Sequence, residues 1–317
     1  MNAYYCHHFV LPLPPEHRFP MAKYARLYER VAKTAADWGI TLREPAPADD
    51  TALCRAHDPS YVQRASRGEL SASELRKIGF PWSEWMIERS RRSSGGTMAA
   101  LQSAVVARGV GLNLAGGTHH AFADHGAGYC VFNDSVVAAR HVQAQGLAQR
   151  ILVVDLDVHQ GNGTASIARD DPSIFTFSMH GERNYPALKE CSDLDVALPD
   201  GCDDVTYLAS LADALPTAIA RSCAEAVIYL AGADPFEGDR LGRLALSKDG
   251  LRQRDRMVFD ACVRHHLPVA VSMAGGYAAD VDDIVDIHYA TVAEAAAAAA
   301  AFGRSGRKDT GTGQRRA

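Results

Sequence analysis

No two of the seven cysteines in this chain form a Cys-x-x-Cys pair, and an odd count leaves one over in any scheme of disulfides. The thiols therefore read as reduced, as in a cytoplasmic protein. A basic surplus is missing too. Lys and Arg number 33 against 38 Asp and Glu, a net charge of −5, so nucleic acid is not the expected partner. No apolar run reaches the length of a membrane span; the Ala-rich stretch Ala295–Ala301 is shorter and reads as a last helix. The first residues lack the basic start and apolar stretch of a secretion signal. Neither an internal repeat nor a linker divides residues 1 to about 300. What the chain does have is 47% apolar residues, ample for a core, and a length of 317 residues that suits one large α/β domain or two small ones.

The most informative stretch is Asp155-Leu156-Asp157-Val158-His159. It follows the apolar run Ile151–Val154, which predicts a buried parallel strand, and leads into the turn Gln160-Gly161-Asn162-Gly163. On an extended chain residues two apart point the same way, so Asp155, Asp157 and His159 are expected on one face. One Asp and one imidazole there supply an oxygen and a nitrogen ligand for a divalent metal. Four more apolar runs end in polar, often Gly-flanked chemistry. Val110–Leu114 leads to His119 and His120, and Ser173–Ser178 to His180. Ala226–Leu230 leads to Gly232 and Asp234, and Pro268–Met273 to Gly275-Gly276-Tyr277. In an open parallel sheet the ligand crevice lies at the C-terminal strand ends, so groups far apart in sequence can converge there. A metalloenzyme becomes the leading reading, ahead of strand ends capped by solvated acids.

Other elements are read from period and caps. A first strand is expected over Tyr4–Val10, a helix over Met21–Trp38 stopped by Gly39, and a short strand over Thr41–Glu44. Short helical pieces follow at Ser60–Arg67 and Ser71–Lys77. Ser83–Arg108 reads as one or two helices interrupted near Gly95-Gly96, and helices are expected at Phe132–Gln145, Val205–Ala224 and Leu251–His265. Strands alternating with helices from Val110 onward predict an α/β fold, a mainly parallel sheet flanked by helices. The domain is expected to span residues 1–302, with a polar, disordered tail over 303–317.

Seven short motifs then stand in one order: Arg18-Phe19-Pro20-Met21; Gly116-Gly117-Thr118-His119-His120-Ala121; Gly128-Tyr129-Cys130; Phe132-Asn133-Asp134; Asp155-x-Asp157-x-His159-Gln160-Gly161-Asn162-Gly163; Gly232-Ala233-Asp234 with Gly238-Asp239; and Gly275-Gly276-Tyr277. This order resembles the zinc-dependent histone deacetylases, and most of all their class IV and related bacterial members. Gln160-Gly161-Asn162 and Glu237–Gly242 fit those best. The resemblance covers nearly the whole chain and implies the arginase/deacetylase fold in a single domain.

It also implies roles. Asp157, His159 and Asp234 resemble the three zinc ligands, which leave the open position that catalytic zinc requires; two carboxylates harden the site enough for Fe2+, Co2+ or Mn2+. His120 resembles the general base and later acid, and His119 its electrostatic partner. Asp155 resembles the carboxylate partner of His119, and Asn162 the partner of His120, where class I enzymes carry Asp. An amide orients the ring without a carboxylate's stabilisation of imidazolium, so a lowered His120 pKa is expected. Tyr277 resembles the phenol that steadies the oxyanion. A structural K+ is implied at Asp155, Asp157, His159, Ser178 and Met179. Gly128 and Tyr129 resemble one wall of an acyl-lysine tunnel, Tyr185 the other, and Arg18 a buried arginine of an internal channel.

The expected reaction is removal of acetyl or a longer acyl group from a lysine side chain, the partner being an acyl-lysine protein or peptide. An acetylpolyamine amidohydrolase acting on a small acylated amine is the alternative. Leu241 stands where polyamine-selective relatives carry an acid, which weighs against it. A catalytically silent reader of acyl-lysine would have little use for His120 and Tyr277. A two-manganese arginase-like enzyme would need more ligands than these three.

Overall fold

The computed structural model describes residues 1–309 apart from Pro15, the side chains being described up to Arg304. In chain order the elements are β1 (Asn2–Tyr4), α1 (Ala22–Thr34), β2 (Thr41–Arg43), α2 (Asp50–Leu53), α3 (Pro59–Arg67), α4 (Ala72–Ile78), α5 (Glu84–Ala107) and β3 (Val110–Asn113). There follow α6 (Asp134–Ala144), β4 (Ile151–Asp155), α7 (Asn162–Ala168), β5 (Ile174–Gly181), β6 (Leu194–Leu198), α8 (Asp204–Ser222), β7 (Ala226–Leu230), α9 (Lys248–Arg264), β8 (Val269–Ser272) and α10 (Val281–Asp309). The strands form one 8-stranded sheet in the order β2-β1-β3-β8-β7-β4-β5-β6, every pair parallel. This is the α/β arginase/deacetylase architecture.

A parallel sheet covered on both faces needs strands that are apolar at every position. β4 and β7 are buried throughout. Successive side chains alternate between two cores. Leu152, Val154, Val227 and Tyr229 join Leu27, Leu211 and Phe259 from α1, α8 and α9. Ile151, Val153, Ile228 and Leu230 join Leu101 and Val137 from α5 and α6. At the top of the sheet Asn113 pairs with Ser272, Ser272 with Leu230, and Leu230 with Asp155. The loops after β3, β8, β7 and β4 therefore leave at one level, from four neighbouring strands.

Several local expectations need correction. β1 ends at Tyr4 rather than reaching Val10, because Phe9 N–H donates to the Cys6 carbonyl and closes a turn. α5 is one unbroken helix through Gly95-Gly96. These glycines serve close packing: a Cβ would lie 1.9 Å from the Ala46 carbonyl oxygen at Gly95 and 2.8 Å from Asn113 Oδ1 at Gly96. The turn expected at residues 160–163 is where α7 begins, and α2, α7 and β6 add to the expected set. α10 continues past residue 302 to Asp309, while residues 310–317 of the expected tail lie outside the described residues. No helix among the described residues is long and apolar enough to cross a membrane.

Candidate active site

The strand β4 stops at Asp155, so the extended-chain face expected for three side chains does not persist. Asp155 turns to His119, its Oδ2 lying 2.7 Å from Nδ1. Past the strand the chain bends, and Asp157 Oδ1 meets His159 Nδ1 at 2.9 Å. Asp234, from the loop after β7, brings Oδ2 to 3.2 Å from the same nitrogen. Ligand atoms of Asp157, His159 and Asp234 all lie within 4.8 Å of one another, and all three residues are buried.

The donor set fits a divalent ion. Asp234 Oδ2 is buried yet has no hydrogen-bond partner, which a native interior rarely tolerates without an ion or water. Burial and the neighbouring Asp157 carboxylate push Asp234 up to about 7. Burial opposes the charge on His159, but Asp157 and Asp234 outweigh it and hold the imidazole at about 10. The two carboxylates around His159 thus favour positive charge at the centre of the cluster. Gly275 leaves the room: a Cβ there would lie 1.9 Å from Asp234 Oδ2 and 2.6 Å from Asp157 Oδ2.

The two adjacent histidines differ sharply. Burial pulls His119 down, but the Asp155 and Asp157 carboxylates prevail and raise it to about 9. For His120 the raising influences, the Asn162 hydrogen bond and the Asp157 charge, are outweighed. Its Nδ1 lies 2.7 Å from Asn162 Oδ1, an acceptor, so the neutral ring donates there and carries its lone pair at Nε2. Burial first, then the His119 and His159 charges, keep His120 well below the usual histidine value. The direction is the expected one, but its cause is burial and the neighbouring imidazolium charges; the Asn162 hydrogen bond acts the other way and raises the pKa.

Tyr277 sits at the end of the loop after β8, its ring centroid 6.3 Å from that of His159. Burial and the Asp234 and Asp157 carboxylates hold the phenol protonated, far above its ordinary value. His120, His159 and Tyr277 line a cavity of about 420 Å³ together with Gly128, Tyr129, Tyr185 and Leu241. The Tyr185 ring stands edge-on to His120 at 4.8 Å, and the Tyr129 ring lies 5.9 Å from that of Tyr277. Gly128 packs so closely that a Cβ would lie 2.5 Å from His120 Cδ2. Ser178 is the register partner of Asp155, and Met179 follows it in β5, so the five residues expected around K+ share one neighbourhood.

Residues 17–292 match the histone deacetylase domain. The chain belongs to the histone deacetylase family. It is 44% identical over 280 residues to an uncharacterized protein of Picosynechococcus, which covers 88% of this chain and 93% of that one. Histone deacetylase 2 of Arabidopsis thaliana is 29% identical over 271 residues, 82% of this chain and 70% of its own. In fold it is similar to the HD domain of HDA15, with a TM-score of 0.78 and 22% identity over 93% of this chain and 88% of that domain. The protein is a deacetylase, a hydrolase whose family works with a metal.

The deacetylase site also depends on residues that the sequence reading left without roles. Asp134, at the start of α6, accepts from the N–H groups of Gly117 and Thr118 at 2.9 and 2.7 Å and so fixes the loop carrying both histidines. Asp239 accepts from the N–H groups of Leu241, Gly242 and Tyr277, tying two catalytic loops together. Asp134 and Asp239 stood in the motifs, which was the signal available for them. Arg18 requires correction. It is exposed, not buried, and lines a recess with Arg240, Leu241 and Tyr277. Lys23, only 2% exposed, is a buried cation behind Tyr277, and Arg254, also buried, donates to the Leu156 and Gly232 carbonyls behind the cluster. Lys23 Nζ donates to the Gly276 and Ala274 carbonyls at 3.2 and 3.4 Å and lies 5.2 Å from the Tyr277 ring centroid.

Proposed function

We propose that this deacetylase removes acetyl, or a longer acyl group, from the side-chain amine of lysine. One observation carries the reading: His120, Tyr277 and His159 line one aromatic-walled cavity, and His159 belongs to the buried Asp157–His159–Asp234 cluster. The lysine stem is long and apolar and needs a slot of this kind, which Tyr129 and Tyr185 would wall. Asp157, His159 and Asp234 would hold Zn2+, or Fe2+ or Co2+, and the bound ion would polarise the acyl carbonyl and make water a nucleophile at neutral pH. His120 takes the proton of the attacking water at Nε2 and delivers it to the leaving amine. Asn162 keeps the other nitrogen protonated throughout. Tyr277 donates its hydroxyl proton in a hydrogen bond to the acyl oxygen as negative charge develops there. His119, held cationic by Asp155, sets the potential beside His120. Asp155, Asp157, His159, Ser178 and Met179 would take a structural K+.

Purified enzyme offered acetyl-lysine peptides, longer acyl-lysine peptides and acetylspermidine tests the substrate. Peptides are expected to give the higher kcat/KM, and a preference for acetylspermidine would overturn the lysine reading. Tyr277→Phe removes one oxyanion donor and is expected to cost about 10²- to 10³-fold in kcat, with metal content and hydroxamate binding kept. Near wild-type turnover in that variant would free Tyr277 of its role.

Asn162→Asp probes the base. A carboxylate at this 2.7 Å contact favours imidazolium, so the His120 pKa rises and the unprotonated form is lost at higher pH. The acidic limb of the kcat/KM profile is therefore expected to move up in pH. A limb that stays in place belongs to another group.

A further inference from the structure

The chain is acidic overall, with a net charge of −5, yet its active-site mouth is not. Among the described residues no Asp or Glu lines the cavity or the recess adjoining it. Arg76, Lys77, Arg183 and Arg243 line the cavity, and Arg18 and Arg240 line the recess. Leu241 and Tyr277 border both, so the two openings form one mouth. All six cations are exposed.

Their charges are poorly matched. Arg183 and Arg243 share the single carboxylate of Asp200, at 3.9 and 3.2 Å. Arg240 spends its Nε–H on the Tyr277 carbonyl, and among the described residues neither it nor Arg18, Arg76 or Lys77 joins an ion pair. Two nearby acids are engaged elsewhere, Glu74 with Arg64 at 2.7 Å and Asp239 with three backbone N–H groups, while the exposed Glu182 and Glu237 line neither the cavity nor the recess. Arg76 and Lys77 lie in the last turn of α4, where basic residues suit the helix dipole. That accounts for two of the six. The others come from the loop before α1, the segment after β5 and the loop after β7, where no helix end requires them.

We propose that this cationic rim selects the substrate: an acyl-lysine set among Asp and Glu residues of a peptide segment. The inference rests on the acyl-lysine reading above and adds the charge of what surrounds the lysine. Cations drawn from four separate segments suit carboxylates on both sides of the lysine better than one carboxylate at a single point. The same rim opposes a polyamine, whose second ammonium would approach like charge with no acid to receive it. Being exposed, the rim acts mainly by steering, and salt screens it.

The test uses three acetyl-lysine peptides identical except for acidic, neutral or basic flanks, together with free Nε-acetyl-lysine. Wild-type enzyme and an Arg76→Glu/Lys77→Glu variant are compared at low and high salt. For the wild type, kcat/KM is expected to favour acidic over basic flanks by about 10-fold or more at low salt, the gap shrinking at high salt. In the variant the acidic-to-neutral ratio is expected to fall to one or below. Equal rates for all flanks, or a basic preference, would overturn the proposal while neutral-peptide turnover kept the deacylase reading intact. Free Nε-acetyl-lysine outperforming the acidic peptide would overturn the peptide part. If no peptide is turned over at all, the acyl-lysine reading fails first, and the rim proposal with it. Arg183→Glu, on a different segment, gives the same shift if the rim acts as a whole and none if only α4 matters, which would refute a ring.

Discussion

Asp234→Ala is expected to leave the purified protein without a stoichiometric divalent ion and without measurable deacylation. The substitution removes one of the three buried residues proposed to hold the metal, whose donor atoms lie within 4.8 Å of one another. The remaining Asp157 and His159 offer one carboxylate and one imidazole, too few for the site that catalytic zinc occupies. Loss should exceed the roughly 10- to 100-fold effect of disturbing a group that merely orients a ligand. Asp234→Asn is the sharper variant. It keeps an oxygen to accept from Val158 N–H, a 3.0 Å contact, and so preserves the loop while removing the anionic ligand. Metal content by mass spectrometry after dialysis, read beside kcat, distinguishes a lost ligand from a lost fold. Chelation should silence the wild type, and Zn2+ or Co2+ should restore it. Undiminished turnover in rigorously metal-free protein would sink the mechanism.

His120→Ala is expected to lower kcat by about 10²- to 10⁴-fold, the range for a lost general acid or base, with the metal still bound. The ring lies outside the Asp157–His159–Asp234 cluster; it is bound to Asn162 and stands 5.8 Å from the His159 ring, so its removal is not expected to empty a metal site there. The acidic limb of the pH profile should vanish with it, because the group whose protonation sets that limb is gone. A variant that keeps near wild-type turnover, or whose acidic limb is unchanged, moves the base elsewhere. His119 would be the first alternative to examine, although its Asp155 partner holds it protonated.

The strands that carry this chemistry were legible because buried parallel strands need no alternation. Ile151–Val154 and Ala226–Leu230 read as apolar runs, and the polar residues beyond them could only belong to strand ends. Helices with clear caps, such as α4 with its Ser71–Glu74 box, were equally plain. Local signals failed where a distant neighbour decides. Gly95-Gly96 looked like a break but lies against Ala46 and Asn113, and a glycine's composition does not say whether it turns the chain or admits another backbone. α7 begins with Asn162-Gly163-Thr164, weak helix formers whose conformation is held by contacts such as Thr164 N–H to the His119 carbonyl.

The sequence by itself determined the parallel α/β class and offered the residue types of the candidate site: two histidines after β3, Asp157 and His159 after β4, Asp234 after β7 and Tyr277 after β8. Each sits within a few residues of a strand whose period and composition are local properties. Tertiary structure alone decided how they meet. The order β3-β8-β7-β4 brings together strands that are not consecutive in the chain, and their matched register sets the four loops at one level. The same packing turned Asp155 to His119, put Lys23 rather than Arg18 behind Tyr277, and drew six cations from four segments to one mouth. The physical reason is common to all three. A side chain's partner across the sheet, its burial and its share of an electric field depend on residues tens to hundreds of positions away, and no local period or motif carries that distance.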